Sequence, residues 1–381
     1  MTPLDWLLIA FCLSATALHV GTAALGIYRC RRRRELMPVP ANAALVSILR
    51  PVCGLDAYDE ATLRSGFALD YPDFELVFCC VDADDPAARL VNRLIAEHPN
   101  VRAELLIGNH TISANPKLNN LVKGWSRAGG EWVVFADSNV LMPPDYIQRL
   151  IAAWRPGVGI VCAPPIGCLP HGFWAELECA FLNTYQARWQ YAADSVGFGF
   201  AQGKTMFWRR RDLDRAGGIE VLNAEIAEDA AATKLVRGLG LRAALVDAPF
   251  VQPLGGRTAR QVWSRQTRWA RLRRMTFPAC FSAEVLTGCL LPIAAGAWAA
   301  DALELPTVAV VAGLAAIWFG SEAALARAAG WHLSASSPLA WALRDLMLPA
   351  VWAHAWLSQS YQWRGNAIDT VEGSAEPARA A

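Results

Sequence analysis

From Trp6 to Tyr28 the chain runs for 23 residues without an Asp, Glu, Lys or Arg. At about 1.5 Å per residue a helix of that length covers roughly 34 Å, enough to cross the hydrocarbon core of a bilayer. Arg29, Arg31, Arg32, Arg33 and Arg34 follow at once, and the other flank carries Asp5. A cleavable signal has its positive charge before a shorter apolar core, so this run reads as a retained anchor. The positive-inside rule then places the N-terminus outside and everything after Arg34 in the cytoplasm.

Three further apolar stretches lie near 285–300, 305–320 and 338–358. Asp301 and Glu304 form a short acidic turn between the first two, and Arg327 follows the second. The third contains Arg344 and Asp345, which would pair inside the protein or near an interface. It reads as a full span or as a buried helix. The chain is therefore expected to be multi-pass, with one N-terminal and two to three C-terminal transmembrane helices. The boundaries read as an anchor with its basic flank at 1–34, a catalytic domain at 35–256 and an interfacial amphipathic segment at 257–282. A membrane region at 283–360 and a tail at 361–381 complete the chain. The Ala-, Glu- and Ser-rich composition of the tail predicts disorder.

Composition supports the membrane reading, with 54% hydrophobic and 18% charged residues. A formal net charge of +1 leaves no electrostatic case for a nucleic-acid partner. Only Lys117, Lys123, Lys204 and Lys234 are lysines, while arginine clusters at 29–34, 209–215 and 257–274. That bias suits a GC-rich bacterial genome, hence a bacterial inner membrane. None of the ten cysteines forms a C-x-x-C pair, and they read as buried free thiols.

Residues 44–250 alternate strand-like and helix-like patterns, the signature of an α/β domain with a largely parallel sheet. Strands are expected at 44–49, 74–81, 103–107, 132–136 and 159–163. Helices are expected at 58–68, 86–97, 116–128 and 144–154, with Pro86, Pro116 and Pro144 suited to first turns. In open sheets of this kind ligands sit at the carboxyl ends of the strands. Asp82 and Asp84 follow one strand and Asp137 another, so the architecture brings distant carboxylates toward one crevice.

Asp82, Asp84 and Asp85 precede Pro86, where acidic residues suit a helix N-terminus and Asp82 equally suits a nucleotide contact. Asp137 ends the apolar strand Trp132–Ala136, a place for a divalent cation (Mn or Mg) bridging diphosphate oxygens. Asn139 stands where a second carboxylate would complete a D-x-D pattern. Asp229, in Ala227-Glu228-Asp229, reads as a helix cap or as the general base that takes a proton from an acceptor hydroxyl. The segment Arg257–Arg274 reads as a helix on the bilayer surface. Within it Arg265, Arg268 and Trp269 suit closure over a departing diphosphate. Lys117 and Lys204 are each a phosphate contact or a solvated charge.

These pieces together resemble the ceramide glucosyltransferases. The resemblance extends to Leu69-Asp70-Tyr71-Pro72, Asn115-Pro116-Lys117, Asn119-Asn120 and Ala216-Gly217-Gly218. It implies a GT-A (Rossmann-like) cytoplasmic domain and inverting transfer of glucose from UDP-glucose to the primary hydroxyl of ceramide. It also implies that Asp82, with Asp84 and Lys117 beside it, binds the UDP-sugar, that Asp137 with Asn139 holds the metal, and that Asp229 is the base. Arg265, Arg268 and Trp269 would form the product-side box. Similar bacterial enzymes are expected to use other UDP-sugars too, and some glycosylate a hopanoid polyol. A catalytically silent membrane scaffold, the remaining reading, has no need of Asp82, Asp137, Asp229, Arg268 and Trp269 together.

Overall fold

The computed structural model describes residues 1–32, 36, 38–40, 42–357, 360–363 and 366–369. The expectations for Arg33, Arg34 and the tail beyond 369 fall outside the described residues. Helix α1 (Pro3–Arg31) starts at a capping box, in which Thr2 and Asp5 satisfy each other's backbone N–H groups.

The region after α1 is built on seven strands. β1 (Val46–Pro51), β2 (Phe74–Cys80), β3 (Ala103–Ile107), β4 (Trp132–Ala136), β5 (Val158–Cys162), β7 (Thr205–Arg209) and β8 (Arg242–Leu245) lie in the order β3-β2-β1-β4-β7-β5-β8. All run parallel except β7, which is inserted antiparallel between β4 and β5. The sheet is thus mixed, and the parallel expectation holds for the other six. A smaller parallel pair joins β6 (Ile166–His171) to β9 (Val251–Gly256).

The first half of the domain carries α2 (Asp59–Ser65), α3 (Pro86–Glu97), α4 (Pro116–Arg127) and α5 (Tyr146–Ala153). Pro86 and Pro116 open their helices, whereas Pro144 lies just before α5, whose cap is Asp145. The middle of the chain supplies α6 (Phe173–Ala180), α7 (Arg188–Ser195), α8 (Arg210–Arg215) and α9 (Glu228–Gly238), with a π-helical segment at Phe181–Ala187 joining α6 to α7. Alternate strand residues enter different cores. Val133 and Phe135 pack with Leu118, Leu121 and Met206, while Val134 and Ala136 pack with Ile48, Phe78 and Phe207. Because both faces are covered, the strands read as continuous apolar runs.

Helices α10 (Ala259–Thr276), α11 (Pro278–Glu284), α12 (Leu290–Ala302), α13 (Thr307–Ala329) and α14 (Ser337–Leu357) complete the main body. A short antiparallel pair, β10 (Ser360–Trp363) and β11 (Asn366–Asp369), follows. Among the described residues α1 and α13 are long and apolar enough to cross a membrane. The stretch Pro278–Thr287 with α12, bent by 49°, counts as a third such span if taken together. Helix α14 is held by charge. Arg344 and Asp345 are 1% exposed, and Arg344 donates to Glu322 of α13 at 2.7 and 2.9 Å. This is the interior pairing expected of that stretch.

The anchor helix is locked to the sheet domain at its last turn. Arg29 donates to Asp194 at 2.6 Å and to Asp247 at 2.9 Å, and its remaining nitrogen reaches the Leu245 carbonyl at 3.0 Å. At the opposite end Asp5 accepts from the Trp298 indole of α12 at 2.9 Å. No disulfide joins any of the ten cysteines, all of which lie among the described residues. Cys53 and Cys280 are exposed and the other eight buried or half-buried.

Candidate active site

The site forms where β4 ends beside the start of β7. Asp137 leaves β4, and its backbone N–H donates to the Lys204 carbonyl at 3.1 Å, so the antiparallel pairing delivers Lys204 directly to it. The fully buried Arg50 of β1 fixes this turn by donating to the carbonyls of Asp137, Ser138 and Val140 at 3.2, 3.0 and 3.1 Å. Helix α4 supplies Lys117 from its first turn, where the Asn115 side chain accepts from the Lys117 N–H at 2.9 Å.

These elements make one chain of charges. Lys117 Nζ lies 2.8 Å from Asp137 Oδ1 and 2.8 Å from Glu228 Oε1. Lys204 Nζ lies 3.0 Å from Asp137 Oδ2 and 3.0 Å from Asn139 Oδ1. Asn115 donates to the other Glu228 oxygen at 2.7 Å. Burial pushes the Asp137 carboxyl up, but Lys117 and Lys204 together outweigh that and hold it well below the usual carboxylate range. Burial draws the Lys117 ammonium down, and Asp137 and Glu228 more than restore it. The Lys204 ammonium stays below its usual range, with burial the main cause, Asp137 opposing and nearby Arg265 adding to the depression.

Asp229 is placed differently from its neighbour Glu228. Its oxygens accept from the backbone N–H groups of Gly203 at 3.1 Å and Ala230 at 2.8 Å. Burial, reinforced by the Glu228 charge, raises its carboxyl to about 6. Glu228 is committed to Lys117 and Asn115, whereas Asp229 keeps lone pairs for a proton. A Cβ at Gly203 would meet Glu228 Oε1 at 2.9 Å and Lys117 Nζ at 3.2 Å, so the ends of those two side chains would have to shift.

Asp137 and Asn139 offer two hard oxygens converging on one point, the chemistry a divalent cation requires. That point is held by Lys204 Nζ. Among the described residues no three or more His, Cys, Asp or Glu side chains gather into a ligating cluster. Asp137 and Asn139 would thus offer a cation two oxygens, and only with the Lys204 ammonium turned away.

The other expected site residues are spread around this centre. Asp82 and Asp84 are exposed beyond β2, with Asp82 accepting from the Asp84 N–H at 2.9 Å, and neither reaches the charge chain. Asp85 caps α3 and also receives the Gly54 N–H at 2.9 Å, tying the loop after β1 to that helix. On α10, opened by a Thr258–Gln261 capping box, Arg265 pairs with the fully buried Glu178 and lies 5.8 Å from the Trp269 ring. Trp269 packs on Cys179, Leu182 and Leu254. Gln266, next to Arg265, accepts from Gln186 of the π-helical segment at 3.3 Å. Between α6, α10 and α14 opens a shallow, largely apolar cleft of about 400 Å³ lined by Trp174, Arg260, Trp263, Leu343 and Met347.

Sequence reasoning left Arg50, Glu178 and Glu228 without roles. Glu228 had a signal, its place next to Asp229. Arg50 and Glu178 had none, because a buried charge shows only through its partners.

A family model described as glycosyl transferase family 21 matches residues 7–375. Ceramide glucosyltransferase 1 of Caenorhabditis elegans is 29% identical over 274 residues, which is 71% of this chain and 58% of that protein. Ceramide glucosyltransferase 3 of the same organism is 26% identical over 371 residues, 95% of this chain and 80% of that protein. A solved mannosyltransferase from Pyrobaculum calidifontis, in complex with GDP-Man and Mn2+, superposes with a TM-score of 0.50 at 21% identity, covering 89% of this chain and 99% of that one. The fold is accordingly GT-A. The match across nearly the whole sequence, together with relatives that carry the motifs' expected name, makes the chain a member of glycosyl transferase family 21.

Proposed function

We propose that the protein transfers a hexose, glucose in the simplest case, from a UDP-sugar to the primary hydroxyl of ceramide, giving a β-glycosylceramide. The observation that carries this reading is the division of labour between two adjacent carboxylates. Glu228 is fixed by Lys117 and Asn115, while Asp229 is raised to about 6 and, among the described residues, accepts from the backbone N–H groups of Gly203 and Ala230. A base near that range is ionised at neutral pH and still basic enough to take a proton.

In the proposed reaction the acceptor hydroxyl oxygen attacks the sugar C1 on the face opposite UDP. Its proton passes to Asp229. The bond from C1 to the β-phosphate oxygen breaks, and the electron pair leaves with UDP. Lys117 and Lys204, with Arg265 and Arg268 from α10, offset the negative charge that grows on the diphosphate. Asp82 and Asp84 would lie toward the nucleoside, and Trp269 would support the box. A divalent cation (Mn or Mg), held by Asp137 and Asn139 once Lys204 turns aside, would add charge neutralisation at the diphosphate.

The apolar cleft beside α10 suits a lipid chain, and the relatives named ceramide glucosyltransferases favour ceramide as the acceptor. The arginine flank after α1 favours an active site on the cytoplasmic face of a bacterial inner membrane. The deciding experiment incubates the purified full chain with a panel of UDP-sugars, ceramide and a hopanoid polyol, and identifies the product by mass spectrometry. A hexosylceramide is expected. Exclusive labelling of the hopanoid would replace the acceptor, and no sugar transfer to any lipid would remove the reading.

A further inference from the structure

The cation position beside Asp137 is filled by the chain itself. Lys204 Nζ bridges Asp137 Oδ2 and Asn139 Oδ1 at 3.0 Å each, while Lys117 Nζ occupies the other Asp137 oxygen at 2.8 Å. Two oxygens from residues two apart at a strand end, joined by one positive centre, reproduce the layout of an acidic cation site with an ammonium at its middle. A small divalent ion such as Mg holds oxygens at about 2.0–2.1 Å, so an ion and the Lys204 ammonium exclude each other from this point.

Charge points the same way. With Asn139 neutral, the bridged pair carries one negative charge, and two lysines already face it. The backbone enforces this arrangement. Lys204 is the residue before β7, its N–H is held by the Gln202 side chain at 2.6 Å, and its carbonyl accepts from the Asp137 N–H at 3.1 Å. The ammonium is delivered to Asp137 and Asn139 from a fixed strand end.

We propose that Lys204 is a resident counter-ion that performs the cation's electrostatic work at Asp137. The UDP part of the donor then binds without a divalent ion, and such an ion enters only by displacing the Lys204 ammonium. The inference rests on the UDP-sugar reading above. In it Lys204 is a binding residue for the diphosphate and a competitor for the metal.

The test uses the full chain in lipid nanodiscs and titrates UDP calorimetrically in EDTA and in Mn2+. The wild type is expected to bind UDP in both. Lys204→Met should weaken binding in EDTA by about ten- to a hundredfold, the scale of one charge-assisted contact, while Lys204→Arg retains most of it. Mn2+ alone, followed by the electron paramagnetic resonance signal of the free ion, should bind Lys204→Met about tenfold more tightly than wild type, because the competitor is gone. Wild-type binding that disappears in EDTA and returns with Mn2+ overturns this inference and leaves the proposed function standing, and this arm needs no variant to fold. Equal Mn2+ affinity in wild type and Lys204→Met also overturns it. Absence of UDP binding in either condition overturns the donor assignment and the inference with it.

Discussion

At the scale of single residues, the site works by giving like groups unlike surroundings. Asp137, Glu228 and Asp229 are chemically near-identical, yet two are paired with ammonium groups and one is not. Replacing Asp229 by Asn removes the proton acceptor while its carboxamide oxygen can still receive the Gly203 N–H. Turnover is expected to drop by roughly 10²–10⁴-fold with UDP affinity nearly unchanged, measured by sugar transfer and by calorimetry on the same preparation. Near-normal transfer would remove Asp229 from the role of base. The raised carboxyl also sets a pH limb. Because Asp229 is pushed up to about 6, it becomes protonated as pH falls through that value and base catalysis is lost below it. The rate under saturating substrates should therefore rise with pH and level off above about 7. A profile flat down to pH 4.5 would contradict the assignment.

At the scale of elements, the critical join is the one between β4 and β7. Gly203 allows the chain entering β7 to pass against Glu228 and Lys117. Gly203→Ala would force those charged groups apart, and kcat/KM for the UDP-sugar should fall by about tenfold or more with little change in the melting temperature. Steady-state kinetics beside a thermal unfolding curve checks both halves. Much of the surrounding frame was legible in advance. The strands at 74–80, 103–107 and 132–136 and the helices opened by Pro86 and Pro116 announced themselves through apolar runs bounded by turn and cap residues. Strand β7 did not, because Thr205-Met206-Phe207-Trp208 is a short apolar run without alternation, which a strand and a buried helix share. Missing β7 concealed the contact of Lys204 with Asp137, since that contact exists only through antiparallel pairing. The pair Glu178–Arg265 was hidden for a related reason: its partners lie 87 positions apart, on helices whose packing the local pattern does not encode. Helix α10 also differs in character from a free surface helix. Its buried positions Val262, Gln266 and Ala270 recur every four residues and face α14 and α6, so part of it is interior.

At the scale of the whole molecule, the anchor and the catalytic domain behave as one unit because of a buried charge cluster. Arg29 is the last-turn residue of α1 and serves two carboxylates from α7 and the segment after β8. Arg29→Ala would leave the buried Asp194 without the guanidinium that it pairs with at 2.6 Å. The cost should be about 3–5 kcal/mol, read as a lowered midpoint in chemical unfolding of the detergent-solubilised chain. Adding Asp194→Asn to Arg29→Ala should restore part of that loss, as expected when the buried carboxylate that the guanidinium paired with loses its charge. An unchanged midpoint for Arg29→Ala would mean that the anchor is held by apolar packing alone.

The same clamp has a geometrical consequence. A helix end pinned by three hydrogen bonds cannot slide relative to the sheet, so the vertical offset between the apolar boundary and Asp229 is constant. Under the proposed function the clamp would act as a ruler. An acceptor would be admitted according to how far its hydroxyl stands from the hydrocarbon edge, and lipids of different tail chemistry would become equivalent when their reactive oxygen reaches the same height.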